Sequence, residues 1–446
     1  MTRSATPASE SPLHSYRAAW YTTAVLMVAY TFSFLDRQIL NLLVGPIKHD
    51  FAISDVQFAF LTGGAFGIFY TVMGLPIGWL ADRYPRKWII TIGVALWSLM
   101  TAACGLGQTF PALLAARIGV AVGEATLTPS SYSILADLFD RSRLPRAMSL
   151  YMVGIYVGAG TATIVGGVTV AAVFQDLVLT LPVIGPITSW HLVFLMVGLP
   201  GLVVALWIAT LPEPRRHGFS SDQEAPGRSS LARLAHFFSS YPRLSLSLFI
   251  GSAAFAVMNY MDAWYPELFI RTWGWGVRQT GLVNGSASLT AGPLGMLAAG
   301  YISGRMIRNG QADACLRLTV YVVAAMVVPA ILMPLMPNPI LMAALLWPIK
   351  FLGGFAPVLT PSALQVVCPP TMRAQMSAIY ILLTGILGIS LGPLLPALFT
   401  DHLFHDEHLL RYSLSLSACL VVPLALYLLS QGLPEYRSRL ATLGVT

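Results

Sequence analysis

Residues 78–87 read GWLADRYPRK, and residues 300–305 read GYISGR. Each closes a long apolar run, with Gly78 standing over Gly300 and Arg83 over Arg305. Two further pairs follow in the same order: LTPSS at 127–131 matches LTPSA at 359–363, and PRAMS at 145–149 resembles RAQMS at 373–377. Offsets of 222, 232 and 228 in one order read as an internal duplication and predict two related halves.

Composition sets the solvent. The 446 residues are 56% apolar and only 10% charged, with a mean hydropathy of +0.70. That leaves too little polar sequence to cover a water-exposed surface, so the surrounding medium is lipid. At about 35 residues per span and turn, roughly twelve helices are expected. They are placed at 18–44, 54–81, 87–108, 110–136, 146–173, 191–211, 243–270, 277–304, 313–335, 338–364, 373–400 and 409–431. The predicted fold is an all-α integral membrane protein, with twelve transmembrane helices in two pseudo-symmetric six-helix bundles. Residues 1–17 read as a disordered cytoplasmic tail without the apolar core of a secretory signal. Residues 18–212 form the N-terminal bundle, 213–242 a cytoplasmic linker, 243–431 the C-terminal bundle and 432–446 a cytoplasmic tail. The LARLAHFF end of the linker reads as a short amphipathic helix on the membrane surface.

The net charge of +7 does not point to nucleic acid, because basic residues come one to three at a time between apolar runs. Placing both termini in the cytoplasm gives that side 19 of the 26 Arg and Lys. The outside receives four, Lys48, Arg271, Arg278 and Arg411, while Arg37, Arg117 and Lys350 fall inside spans. This bias predicts a multi-pass protein of the cell (inner) membrane with both termini cytoplasmic. Cys104, Cys315, Cys368 and Cys419 lack CxxC spacing and read as small core hydrophobes. His402, His405 and His408 share a short outer turn with Asp401 and Asp406, which reads as a solvated loop. No metal, no cofactor and no enzymatic motif is expected, and the chain is expected to work as a monomer.

The charges inside spans carry the chemistry. An ionised side chain there costs about 2.5–3.5 kcal/mol on insertion scales, so such residues are by default paired and functional. Arg117 and Glu124 are seven residues apart, about two turns, and share one face of the fourth helix. Asp36 and Arg37 lie within the first. A carboxylate in a water-poor site is pushed toward its neutral form, and a nearby guanidinium pulls it back. Proton coupling through Asp36 and Glu124 is therefore expected, with Arg117 as the switching counter-ion. The fork of Arg117 would equally suit a phosphate or carboxylate on a substrate, and an ion pair that merely joins helices is the plainer alternative. Further candidates for the substrate site are Arg37, Tyr30, Tyr70, Asn259, Tyr260 and Lys350. Asp262 lies where Asp36 maps at an offset of 226, and Lys350 falls one residue past the equivalent of Arg117. Trp264, Trp273 and Trp275 read as an interfacial belt.

GWLADRYPRK resembles the loop signature of the major facilitator superfamily, and GYISGR falls where that superfamily has its second copy. Within it, SFLDRQ at 33–38 and ARIGVAVGEA at 116–125 resemble the spinster family, whose animal members export lysolipids and sphingosine phosphate. The resemblance implies that the first and fourth helices border a central cavity, so Asp36 would reach Arg117 or Glu124. It also implies a cytoplasmic gate in which Asp82 pairs with the start of the eleventh helix and Arg83 with Asp137. Beside that gate, Gly74 and Gly78 read as points of close backbone approach, and Arg86 and Lys87 as anchors at the headgroup level. The fifth helix has glycines of the antiporter signature, Gly158, Gly166 and Gly167, but Ala162 and Thr163 stand where that signature has Gly-Pro. The implied substrate is an amphiphile resembling a lysolipid or sphingosine phosphate, moved by alternating access. A small organic anion such as a sugar acid is the second reading, and a receptor or membrane-embedded enzyme the third.

Overall fold

The computed structural model describes residues 12–139, 144–173, 179–181, 185–214, 236–368 and 373–444. The first half comprises α1 (Pro12–Ile39), α2 (Ala65–Arg83, led in by turns from Asp55), α3 (Arg86–Cys104), α4 (Phe110–Glu124, resuming as Leu127–Leu138), α5 (Leu144–Val173) and α6 (Ser189–Ala209). The second comprises α7 (from Pro242 to Trp273 in consecutive turns), α8 (Val277–Arg308), α9 (Ala314–Leu332), α10 (Pro339–Gly353, resuming as Ala356–Val367), α11 (Arg373–Leu383, continuing through Gly392–Leu398) and α12 (Leu410–Thr442). Eleven of the described helical segments are long and apolar enough to cross a membrane. α8 is the helix that falls short, because its 32 residues include VRQTGLVNGSASLT.

Local sequence explains the joints. Thr109 and Asn338 cap α4 and α10, each accepting a hydrogen bond from the backbone N–H of the first turn, with a proline close behind. Pro129 and Pro357 lack an N–H and crowd the carbonyl four residues back. α4 accordingly breaks at Ala125–Thr126, and α10 at Gly354–Phe355. Gly274, at φ +65°, ends α7 in a left-handed turn.

Several boundaries differ from the sequence reading. α1 is already helical from Pro12, so residues 12–17 are not a tail. α12 runs on to Thr442, so 432–442 extend the last helix. A small antiparallel hairpin, β1 (Leu179–Leu181) with β2 (Gly185–Ile187), sits between α5 and α6 and departs from an all-helical chain. Most of the 213–242 linker lies outside the described residues, including 231–235 of the expected surface helix; residues 236–240 are helical.

The two halves meet along α2–α11 and α5–α8. A Cβ on Gly63 would fall 2.5 Å from the Ile389 carbonyl, and one on Gly67 2.7 Å from the Ser390 hydroxyl. Across the other seam, a Cβ on Gly281 would fall 2.2 Å from the Thr163 carbonyl, and one on Gly285 2.7 Å from the Gly160 carbonyl. Thr71 and Gly385 continue the first contact by one turn. Gly74 and Gly78 lie on the same stripe of α2, one and two turns further on, yet a Cβ on either would meet nothing within 4 Å, nor would one on Gly300. The expected close approach at Gly74 and Gly78 is therefore not made in this conformation. The seam is shut toward the end bearing Lys48 and Arg271 and parts toward the arginine-rich end.

Candidate functional site

α1 and α4 bring four charges together in the first half. Asp36, Arg117 and Glu124 are 1–2% exposed. Asp36 Oδ2 accepts a hydrogen bond from Thr101 Oγ1 of α3 at 2.8 Å and faces Arg117 Nη1 at 3.6 Å. Glu124 Oε2 accepts from Arg37 Nε at 2.7 Å and from Ser33 Oγ at 2.5 Å. The neighbours Asp36 and Arg37 thus engage different residues of one α4 face, as a step of about 100° per residue requires. Arg37 is bedded on aromatic rings, with its guanidinium 4.6 Å from the Phe66 and Tyr70 centroids and 5.0 Å from Phe34. Arg117 shares the Phe66 ring at 4.9 Å. Charges balance, but hydrogen bonds do not: Asp36 Oδ1, Glu124 Oε1, and Nε and Nη1 of Arg117 are buried without a partner. Each such group costs about 1–3 kcal/mol.

The sequence reading supplied three of the four charges as a coupling cluster and placed Arg37 only at the substrate site. It missed Ser33, Thr101 and Phe66. A hydroxyl or a phenyl ring in an apolar helix looks like any other, although Ser33, one turn before Arg37, was a signal of a polar face.

Across the gap, Lys350 Nζ of α10 donates to Asp262 Oδ2 of α7 at 2.7 Å, so neither stands alone. Asn259 spends its amide N–H on the Phe255 carbonyl of its own helix. Tyr260 packs against Gly388 and Gly392 of α11 and lies within electrostatic reach of Arg37. Tyr30 is buried and stacked face to face on Tyr151, 4.5 Å between centroids, while Tyr70 stacks on Phe66. Trp264 is no belt residue: it is 2% exposed and donates to the Pro393 carbonyl at 2.8 Å.

The closed end carries a second ion network, which the sequence reading counted only as outside charge. Arg271 of α7 donates to both oxygens of Asp55, at 2.6 and 2.8 Å, and to Glu267 at 2.8 Å. Lys48 bridges Asp55 to Glu407. The Val56 N–H donates to Asp401 at 2.7 Å. Asp55 and Lys48 belong to the first half and the other charged groups to the second, so the network pins the halves together.

At the arginine-rich end Arg86 makes a contact that the sequence reading did not expect. Arg86 is 1% exposed and is not a headgroup anchor. It engages Asp137, Ser133, Glu213 and the Pro214 carbonyl, tying α3 and α4 to the chain that leaves α6. Asp137 is thus held by Arg86, a partner that the sequence reading had not given it. Lys87 donates to the Leu211 carbonyl at 3.1 Å. The side chain of Asp82 lies outside the described residues. Arg86→Gln is expected to lower stability by about 3 kcal/mol, as for a buried pair losing one partner, with a clear drop in melting temperature in detergent. An unchanged melting temperature would contradict this account of Arg86.

Known proteins align with this arrangement over most of its length. The family model for the Major Facilitator Superfamily matches residues 26–393. An MFS-type efflux pump of Mycolicibacterium smegmatis is 27% identical over 401 residues, covering 88% of this chain and 87% of its own. Protein spinster of Drosophila melanogaster is 24% identical over 410 residues, 88% of this chain and 64% of its own. The crystal structure of a bacterial homolog to the human lysosomal transporter Spinster, inward-facing and unoccupied, superposes with a TM-score of 0.73 at 24% identity, covering 97% of this chain and 99% of that one. With a family match spanning well over half its length, the chain belongs to the major facilitator superfamily and, within it, resembles the spinster transporters.

Proposed function

We propose that this protein is a proton-coupled secondary transporter that moves a lysolipid-like amphiphile by alternating access, caught with its cytoplasmic side open. The arginine-rich end, where Gly74, Gly78 and Gly300 have lost their neighbours, is taken as cytoplasmic by the positive-inside rule. The Lys48–Asp55–Arg271 network then closes the outer side.

The observation that carries the coupling is the under-satisfied cluster. Two acids sit in a site that excludes water, each with one oxygen bonded and one bare. Each bare oxygen can take a proton without first breaking a bond. Protonating Asp36 releases Arg117, whose pair is already too long for a hydrogen bond at 3.6 Å. Protonating Glu124 loosens Arg37, which lies within reach of Tyr260 in the opposite half. Charge state in the first half is thereby linked to how the second half docks on it. The aromatic surface around Arg37 suits an acyl chain next to an ionic head.

The test uses purified protein in liposomes, with a pH gradient and a labelled lysolipid. Label should accumulate only when the gradient is imposed. Asp36→Asn should remove the gradient's effect while exchange of label at equal pH continues. Gradient-driven accumulation by the variant would sink the assignment.

A further inference from the structure

The structure contains a second acid–base pair related to the first by the internal repeat. In each half the acid stands on the first helix and the base on the fourth: Asp36 with Arg117, and Asp262 with Lys350. The two pairs differ in kind. The first is sealed, with side chains 2–3% exposed and 3.6 Å apart. The second is shorter and wetter, at 2.7 Å with side chains 12% and 23% exposed. A sealed pair can exchange only protons, whereas a wet one can exchange partners.

We propose that Lys350 binds the oxyanion of the substrate, a carboxylate or phosphate, and that Asp262 is its resting counter-ion, displaced on binding and neutralised by a proton from solution. This rests on the transport reading above and names the chemistry of its substrate.

The surroundings favour exchange. An ammonium has three donors, and one of them is engaged by Asp262. The carboxylate acts on Lys350 from α10, on Tyr260 and Tyr265 from α7, and on Tyr156, which reaches across from α5 to lie against Gly292 of α8. All but Lys350 are phenols, neutral near pH 7, and among the described residues Lys350 is the one cation in a salt bridge with Asp262. A carboxylate whose cation has turned away leaves an uncompensated charge in a largely buried site, and a proton removes that charge. The anion and the proton arrive together, and the site's net charge does not change. Two sources share this chemistry, a lipid headgroup and a free sugar acid, and the probes below separate them.

Equilibrium calorimetry on the detergent-purified protein tests this without a gradient, so its outcome does not depend on whether Asp36 and Glu124 couple transport. The probes are palmitoyl lysophosphatidic acid, its uncharged twin monopalmitoylglycerol, and gluconate. Wild-type protein should bind one of the two anions, with tighter binding at lower pH and proton uptake in paired buffers of different ionisation enthalpy. Lys350→Gln together with Asp262→Asn, which keeps the site neutral, should weaken the anion at least tenfold and leave monopalmitoylglycerol unchanged. Lys350→Arg should restore most of the affinity. Asp262→Asn alone should bind the anion as well as wild type or better, with the proton uptake gone. The proposal is overturned if neither anion binds wild type, if the double variant keeps its affinity, if both palmitoyl probes weaken alike, or if Asp262→Asn still takes up a proton.

Discussion

Glutamine in place of Glu124 is expected to abolish accumulation of substrate against its gradient and, at the same time, to make the protein measurably less stable. The two effects have one source. Glu124 is the counter-charge of Arg37 in a site where it is 1% exposed. Removing one partner of a buried pair costs about 3 kcal/mol, close to two factors of ten in an equilibrium constant. Adding Arg37→Gln should recover much of that stability, because no uncompensated charge then remains, but it should not recover coupling. Melting curves and liposome assays on the single and double variants form a cycle that separates the roles. A double variant as unstable as Glu124→Gln alone would show that the Arg37–Glu124 pair is not what Glu124 contributes to stability.

The second large effect is expected at the closed end. Asp55→Asn removes the carboxylate that Arg271 grips with two nitrogens and Lys48 with a third. Lys48 and Arg271 are then left facing each other with Glu407 and Glu267 as remaining counter-charges. A loss of about 3 kcal/mol in the closed conformer would shift its ratio to the open one by roughly 100-fold. Spin labels at His49 and His402, both exposed and on opposite halves, should report a longer distance in the variant than in wild type. An unchanged distance distribution would mean that the apolar seams, not the ion network, keep this end shut.

Much of the architecture was legible because it is written in long-range pattern. Apolar runs of membrane length, the GWLADR and GYISGR echoes and the arginine bias each read out without coordinates. The Asp36–Arg117 pairing was also within reach, since a face shared by Arg117 and Glu124 leaves few partners for an intramembrane acid. What did not read out was which way neighbouring side chains turn. Arg83 and Arg86 flank a turn at Tyr84–Pro85, and Arg86, starting α3, points into the space between α4 and the exit of α6 where Asp137 and Glu213 wait. Nothing in the letters shows that Arg86 turns inward and not toward the headgroups. Arg37 and Asp36 posed the same difficulty, because consecutive helical residues diverge and only the packing of α1 decides which meets Glu124. Gly74 and Gly78 show a different limit: a stripe of small residues says that two helices can touch, not that they do so in a given state.

The unusual polarity of α8 has a consequence for biogenesis. A segment rich in Gln, Thr, Asn and Ser partitions poorly into hydrocarbon by itself, yet here it is seated along α5 of the opposite half, glycine to glycine. Its insertion is therefore favourable only once a docking partner stands in the bilayer. The amino-terminal bundle, emerging from the ribosome first, supplies that template. An isolated carboxyl-terminal fragment would lack it and leave α8 poorly seated, which makes the order of synthesis part of how this protein reaches its working shape.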